Sequence, residues 1–294
     1  MPDFDTDAIL ARLKRDYPFP SGAPSYTDAN ILNLMNDVIR DFITPLIIQF
    51  KEEHFLTYDD VTITTGVYNY AIPKKAVGNR IRKLQILDGN NELVVDHVPL
   101  AATNRNWTSN NGYFISANNI VFAHPENWSG RTLRVWYYRL LNKLVATTRA
   151  GAITNVPNTT SIGLTGSAPS NIVVDSYVDF IDQNNPFIVK GTSKVFSVVG
   201  LIVTMYTAFS GFTPVIGDYI CSAGETNIPN MPEDYHGLIV SKTASRIASS
   251  IGNTSRYQIA EADYNTLVQS ISGIISNRDE GDMPDLVPSS ESLI

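Results

Sequence analysis

The stretch IPNMPEDYHGLIVSKTASRIASSIGN, Ile228 to Asn253, marks where the chain turns helical for the last time and decides the fold. Pro232 stands where a first turn tolerates a missing N–H, and Glu233 and Asp234 put carboxylates where the helix dipole favours anions. Tyr235, Leu238, Ile239, Ala244, Ile247 and Ile251 follow at helical spacing, and Gly252-Asn253 stops the run. A second stripe, from Tyr257 and Ala260 through Tyr264, Leu267, Val268 and Ile271 to Ile274 and Ile275, predicts a last helix over Ser255 to Asn277. Such a pair needs something to bury its stripes against. The matching faces lie at the other end of the chain. Ile9, Leu10 and Leu13 make one stripe within Asp5 to Asp16, closed by Tyr17-Pro-Phe-Pro20; Ile31, Leu34, Met35, Val38, Phe42, Leu46 and Phe50 make another behind the capping-box spacing of Ser25-Tyr-Thr-Asp28. Pro45 interrupts that second stripe and predicts a kink or break near Thr44.

Between these ends the period changes to that of strands. Val61-Thr-Ile-Thr, Tyr68 to Ile72, Arg80 to Leu87, Glu92 to Val95, Tyr113 to Ile115, Asn119 to Phe122 and Thr132 to Arg139 alternate or cluster β-branched and aromatic residues. Asp88-Gly-Asn-Asn91 supplies residues that tolerate positive φ and predicts a hairpin. Thr147 to Ser170 is small and polar and reads as a seam or flexible excursion, after which Ile172–Ile181, Phe187–Lys190, Lys194–Val199, Leu201–Tyr206 and Asp218–Cys221 suggest a small sandwich or barrel. The expected architecture is α+β: a discontinuous helical bundle of residues 1–56 and 228–281, a large antiparallel β-rich insertion over 57–227, and an extension over 282–294.

Composition narrows the function. Of 294 residues, 43% are hydrophobic and 17% charged, as in ordinary folded chains. Lys and Arg number 22 against 29 Asp and Glu, a net charge of -7 that does not suit a protein gripping nucleic acid through phosphate neutralisation. A single cysteine, Cys221, excludes an intrachain disulfide and fits cytosolic synthesis with a buried thiol. The acidic start, Met1 to Asp7, is unlike a signal peptide, and the longest apolar run, Phe196 to Tyr206, falls far short of the ~20 residues a bilayer span needs. A soluble chain without a membrane partner is expected.

No nucleophile elbow, P-loop, dinucleotide turn or zincin helix occurs, and His54, His97, His124 and His236 are isolated from one another in sequence. Neither catalysis, a metal nor a cofactor is expected. Asp175, Asp179 and Asp182 form the densest acidic cluster; solvated strand-edge carboxylates are the favoured reading over a calcium site. Arg80, Arg82, Lys83, Arg131, Arg134, Arg139 and Lys143, interleaved with Trp136, Tyr137 and Tyr138, could form a stacking platform for single strands, but strand alternation explains the pattern more simply.

Tyr70-Ala-Ile-Pro73, Lys74 to Gly78 and Arg82 to Gly89, then Asn119-Ile-Val-Phe and Leu133 to Tyr138, then Gly217 to Cys221, Ile228 to His236 and Asn277-Arg-Asp-Glu-Gly281 occur in an order that resembles tailed-bacteriophage head-to-tail connector (portal adaptor) proteins. The resemblance implies a non-enzymatic homo-oligomeric ring of twelve copies in the virion neck, assembled in the host cytoplasm. Such a ring sits between the portal protein and tail or stopper proteins and conducts double-stranded DNA without tight or sequence-specific binding. It implies portal docking through the extension, with Leu286, Val287, Leu293 and Ile294 as apolar anchors, and ring contacts from the helices carrying Arg246, Arg256 and Arg278. Excess acid suits a conduit, because an anionic lumen lets the polyanion slide; Glu233, Asp234, Glu261 and Asp263 are the candidate channel-facing acids. The alternatives are a carbohydrate-binding or depolymerising tail protein, favoured by Trp107, Trp128 and Trp136, and a neck stopper or tail-completion protein.

Overall fold

The computed structural model describes residues 5–19, 26–50, 55–89, 91–98, 112–122, 125–166, 168–185 and 189–276. An Asp5 carboxylate oxygen accepts the Ala8 N–H at 2.8 Å and caps α1 (Thr6–Asp16), which buries Ile9, Leu10 and Leu13. The cap of α2 (Asp28–Val38) is Thr27, whose hydroxyl accepts from the Asn30 N–H at 3.4 Å; the expected Ser25 lies outside the described residues. Pro45 does not break the chain's helical course. Residues Ile39–Ile43 widen into a π turn in which the Thr44 N–H reaches the Ile39 carbonyl, and α3 (Thr44–Phe50) continues beyond it. A wider turn there accommodates the donor that Pro45 lacks.

At the other end a short 3-10 turn, Glu233–Tyr235, leads into α4 (His236–Ser250). Gly252, at φ 70°, then closes α4, with the Asn253 N–H on the Ala248 carbonyl at 3.0 Å, and α5 (Thr254–Ser276) follows. Leu13, Met35, Ile43 and Ile47 from the first helices and Leu238, Ile239, Ala244, Ile247 and Ala260 from the last belong to one buried apolar cluster.

The fold is α+β, with few helices and a large β-rich portion. Strands β1 (Leu56–Thr62), β2 (Asn69–Ala71), β3 (Ala76–Asp88), β4 (Asn91–His97), β5 (Gly112–Ser116), β6 (Asn119–Phe122) and β7 (Thr132–Arg139) form one sheet in the order β1-β7-β3-β4-β5-β6-β2. All its pairings are antiparallel except β4 with β5. The predicted hairpin joins β3 to β4, pairing Asp88 with Asn91 across Gly89 at φ 61°. Leu133, Val135 and Tyr137 of β7 face the sheet's own core, and Thr132, Arg134 and Trp136 face away.

The seam predicted at Thr147 to Ser170 is instead built structure. After β8 (Lys143–Leu144), residues Gly151–Asn158 (β9) and Ser161–Leu164 (β10) are strands of a closed six-stranded barrel with β11 (Tyr177–Ile181), β12 (Val189–Val199), β13 (Ile202–Met205) and β14 (Tyr219–Ser222), ordered β10-β13-β12-β11-β14-β9. Small residues are what this barrel wall requires. A Cβ on Gly151 would stand 2.8 Å from the Leu164 side chain, while Ile153, Ile162 and Leu164 supply the buried apolar face.

The chain enters and leaves the barrel side by side, because β8 pairs in parallel with β15 (Glu225–Thr226). The Asn36 side chain of α2 grips this joint, accepting the Leu144 N–H at 2.7 Å and donating to the Leu144 carbonyl at 3.0 Å, and Thr6 of α1 donates from both N and Oγ1 to the Asn227 carbonyl. Asp179 is the polar centre on the barrel side. Far from the solvated edge expected of it, its carboxylate is fully buried and accepts from Lys75 Nζ (3.3 Å), Asn142 Nδ2 (3.1 Å), Thr192 Oγ1 (2.6 Å) and the Gly224 N–H (2.8 Å). These donors come from the segment before β3, the segment before β8, strand β12 and the β14–β15 turn, so one carboxylate ties sheet, barrel and joint together.

Asp179→Ala leaves the buried Asn142 amide and the more accessible Lys75, Thr192 and Gly224 donors without their shared acceptor and is expected to cost about 1–3 kcal/mol in chemical denaturation. Asp175→Asn, which alters the exposed pair with Lys194 at 2.7 Å and the exposed hydrogen bond from the Tyr206 hydroxyl at 2.9 Å, should change stability by less than about 1 kcal/mol.

Candidate functional site

The described surface offers three places where chemistry or recognition could sit: the outer face of the seven-stranded sheet, the exposed side of α4 and α5, and the grooves beside α1 and α2. On the sheet, strand register stacks Tyr58, Trp136 and Lys83 in one rung and Asp60, Arg134 and Gln85 in the next. Arg134 binds Asp60 through two hydrogen bonds of 2.8 and 2.9 Å, and its guanidinium lies 3.9 Å from the Tyr58 ring centroid. Lys83 covers Trp136 at 5.0 Å, and Arg131 covers Trp128 at 4.8 Å while pairing with Asp88 at 2.9 Å. These cations and rings engage one another, which leaves Trp128 and Trp136 poorly placed as an open stacking platform for bases or sugars. Trp107 lies outside the described residues.

On the helical side, Arg246 is exposed on α4 with its guanidinium 5.4 Å from the Phe42 ring, and Arg256, exposed on α5, donates to the Pro18 carbonyl. Arg278 and the apolar anchors Leu286, Val287, Leu293 and Ile294 lie outside the described residues. Two of the four candidate channel acids are engaged within the chain. Glu261 accepts from Lys242 at 2.7 Å and Ser245 at 2.6 Å, and Asp263 accepts from the Tyr17 hydroxyl at 2.6 Å. Burial opposes ionisation of Glu261, yet the hydrogen bonds from Lys242 and Ser245 together outweigh it and hold the carboxyl below its ordinary range. Glu233 and Asp234 are exposed on the turn leading into α4.

The isolated histidines and the cysteine follow their environments. His97 packs edge-on against Tyr113 at 5.2 Å; His54 and His124 lie outside the described residues. The buried Cys221 thiol is pushed up to about 12 by desolvation, which makes it unreactive. Among the described residues no three His, Cys, Asp or Glu side chains gather as a metal cage, and no helix is long and apolar enough to cross a membrane.

Grooves flank the first two helices. One of about 380 Å³ runs between α2 and Leu140–Lys143, and another of about 370 Å³ lies between the α1 and α2 starts and the joint. A third, of about 610 Å³, is lined by Ala8, Ile9, Ala11, Arg12 and Arg15 of α1 with Glu233 and His236. Sequence reading had no access to these, because each depends on which elements the fold sets side by side.

A family model described as SU10 adaptor protein matches residues 5–166, more than half of the chain and all of α1 through β10. The chain belongs to the SU10 adaptor protein family. This is a phage head-to-tail adaptor family, so the chain is a structural phage protein that works in contact with other structural proteins of the particle. The rest of the barrel and the α4–α5 pair lie beyond the matched span. No curated protein matches the sequence.

In this adaptor protein, His236 is 4% exposed, and burial depresses its pKa to about 4, helped by the nearby Arg12 and opposed by a hydrogen bond to the Met231 backbone and by Asp234. Its neutral form is therefore favoured by folding. That contribution is complete above the unfolded value near 6.5 and is lost as pH falls toward 4, an expected decline of about 3 kcal/mol. Urea titrations across this interval should show the decline in the native chain and a flatter profile in His236→Gln.

Proposed function

We propose that the chain forms a closed homo-oligomeric ring of twelve copies in the neck of a tailed phage, below the portal, where it prolongs the DNA channel and joins capsid to tail. Membership of a head-to-tail adaptor family is the observation that carries this reading. The helices of residues 1–56 and 228–281 act as one discontinuous bundle and supply the ring contacts, with Arg246, Arg256 and Arg278 at the subunit boundary. The insertion, residues 57–227, reaches outward to tail or stopper proteins, and residues 282–294 dock on the portal through Leu286, Val287, Leu293 and Ile294. The assembly forms in the host cytoplasm, resides in the virion and performs no catalysis.

Electrostatics supports a conduit. A chain of net charge -7 repels rather than traps DNA, and Glu233 and Asp234, exposed at the head of α4, are the acids best suited to line a lumen; Glu261 and Asp263 serve contacts within the subunit. The carbohydrate-binding reading loses its main support because Trp128 and Trp136 are covered by cations of the same chain.

Deleting Asp282 to Ile294 tests the docking step. Purified portal rings mixed with the native chain should gain the mass of bound copies, and the same rings mixed with the shortened chain should not. An equal gain with both chains would overturn docking through this segment, and no gain with either would overturn the adaptor ring as described.

A further inference from the structure

The open groove between α1 and the start of α4 carries the chemistry of a peptide site. One wall carries Arg12 and Arg15, which share a single partner, Asp16, at 3.5 and 2.8 Å, so this wall keeps an excess of positive charge. Its apolar strip is Ala8, Ile9 and Ala11, and Glu233 also lines it. His236 completes the lining. It is 4% exposed and its Nε2 has no hydrogen-bond partner among the described residues. As Nε2 of a neutral imidazole whose ring already hydrogen-bonds the Met231 backbone, it is an acceptor in want of an N–H or O–H donor.

The fold delivers a suitable segment to this place. α5 runs back along α4, and the position a Cβ would take on Gly237 lies 3.2 Å from Leu267 and 3.9 Å from Arg12. From Leu267 to Ser276 is nine residues, so Ser276 lies about 14 Å along the helix from the residue that touches the groove's edge. Residues 277–294 follow, enough to span up to roughly 60 Å if extended. Within them, DMPDLVPSSES (residues 282–292) brackets Leu286 and Val287 with Asp285 and Glu291 and carries Ser289, Ser290 and Ser292 as hydroxyl donors. The chemistry of this segment matches the groove: carboxylates for the guanidinium wall, an aliphatic pair for the alanine and isoleucine strip, and serine hydroxyls or backbone N–H groups for His236.

We propose that the groove formed by Arg12, Arg15, Glu233 and His236 holds residues 282–292 of the same chain, so that the segment is parked on its own helices before assembly. Where it concerns portal docking this rests on the reading of that segment given above, and it adds that the portal must displace the groove to win it. Premature contact between free subunits is then suppressed until a portal offers the stronger site.

The test needs no portal, so its failure is distinguishable from failure of the docking reading. A fluorescent peptide of residues 282–292 is titrated against the full chain and against a full-length variant in which those residues are replaced by glycine and serine. The peptide should bind the replaced variant at least tenfold more tightly than the native chain. Arg12→Glu with Arg15→Glu, both exposed, should weaken that binding at least tenfold while leaving the helical circular dichroism of the chain unchanged, and a peptide carrying Asp285→Lys and Glu291→Lys should recover part of it. Equal affinity for both chains, no binding to either, or indifference to the arginine reversals would overturn the proposal. Hydrogen exchange gives a second readout: amides at 8–15 and 233–237 should be more protected in the native chain than in the replaced variant at every protein concentration. Protection that grows with concentration would place the segment on a second copy and overturn the intramolecular assignment.

Discussion

Apolar stripes on helices at opposite ends of the chain share one buried cluster, together with Phe55, Leu141 and Leu144 from the chain between, and much of the structure is arranged around that burial. Leu13 and Met35 are fully buried with Leu238 and Ile239 although some two hundred residues separate the pairs in sequence. Burying side chains of this size stabilises by about 1.5–3 kcal/mol each, which makes the shared cluster the largest single reason for the two ends to meet. Once they meet, everything between them must leave and return at nearly the same point. The parallel pair β8–β15, gripped by Asn36 of α2, is that point for the barrel.

Polar contacts then fix what apolar burial leaves free. A hydrophobic cluster is tolerant of direction, whereas Asp179 accepts four donors from four segments and Asn36 both donates to and accepts from one backbone residue. The sheet adds its own bracing in the Tyr58, Arg134, Asp60 and Trp136 rungs, where aromatic and charged side chains spend their binding capacity on each other.

Periodicity made most elements readable. The α5 stripe placed the start of its helix within a residue of Thr254, and Asp88-Gly-Asn-Asn91 marked a hairpin that the pairing of Asp88 with Asn91 closes. β9 and β10 escaped because a tight barrel wall needs Gly151, Gly163 and small polar residues, the same composition that marks loops. Asp179 was misread for a different reason: strand alternation says which way a side chain points but not what covers that side. Of the candidate sites, the acids at 233 and 234 could be found from helix-start chemistry, while the internal ties of Glu261 to Lys242 and of Asp263 to Tyr17 and the groove around His236 exist only once separate elements are brought together.

Native-state hydrogen exchange on the isolated chain addresses the central claim, that helices from the two ends form a single cooperative core. Amides of α1, α2 and α4 should open with one shared free energy, and Leu238→Ala in α4 should lower the protection of all three together. Protection of α1 and α2 that is unchanged by this substitution would contradict the account.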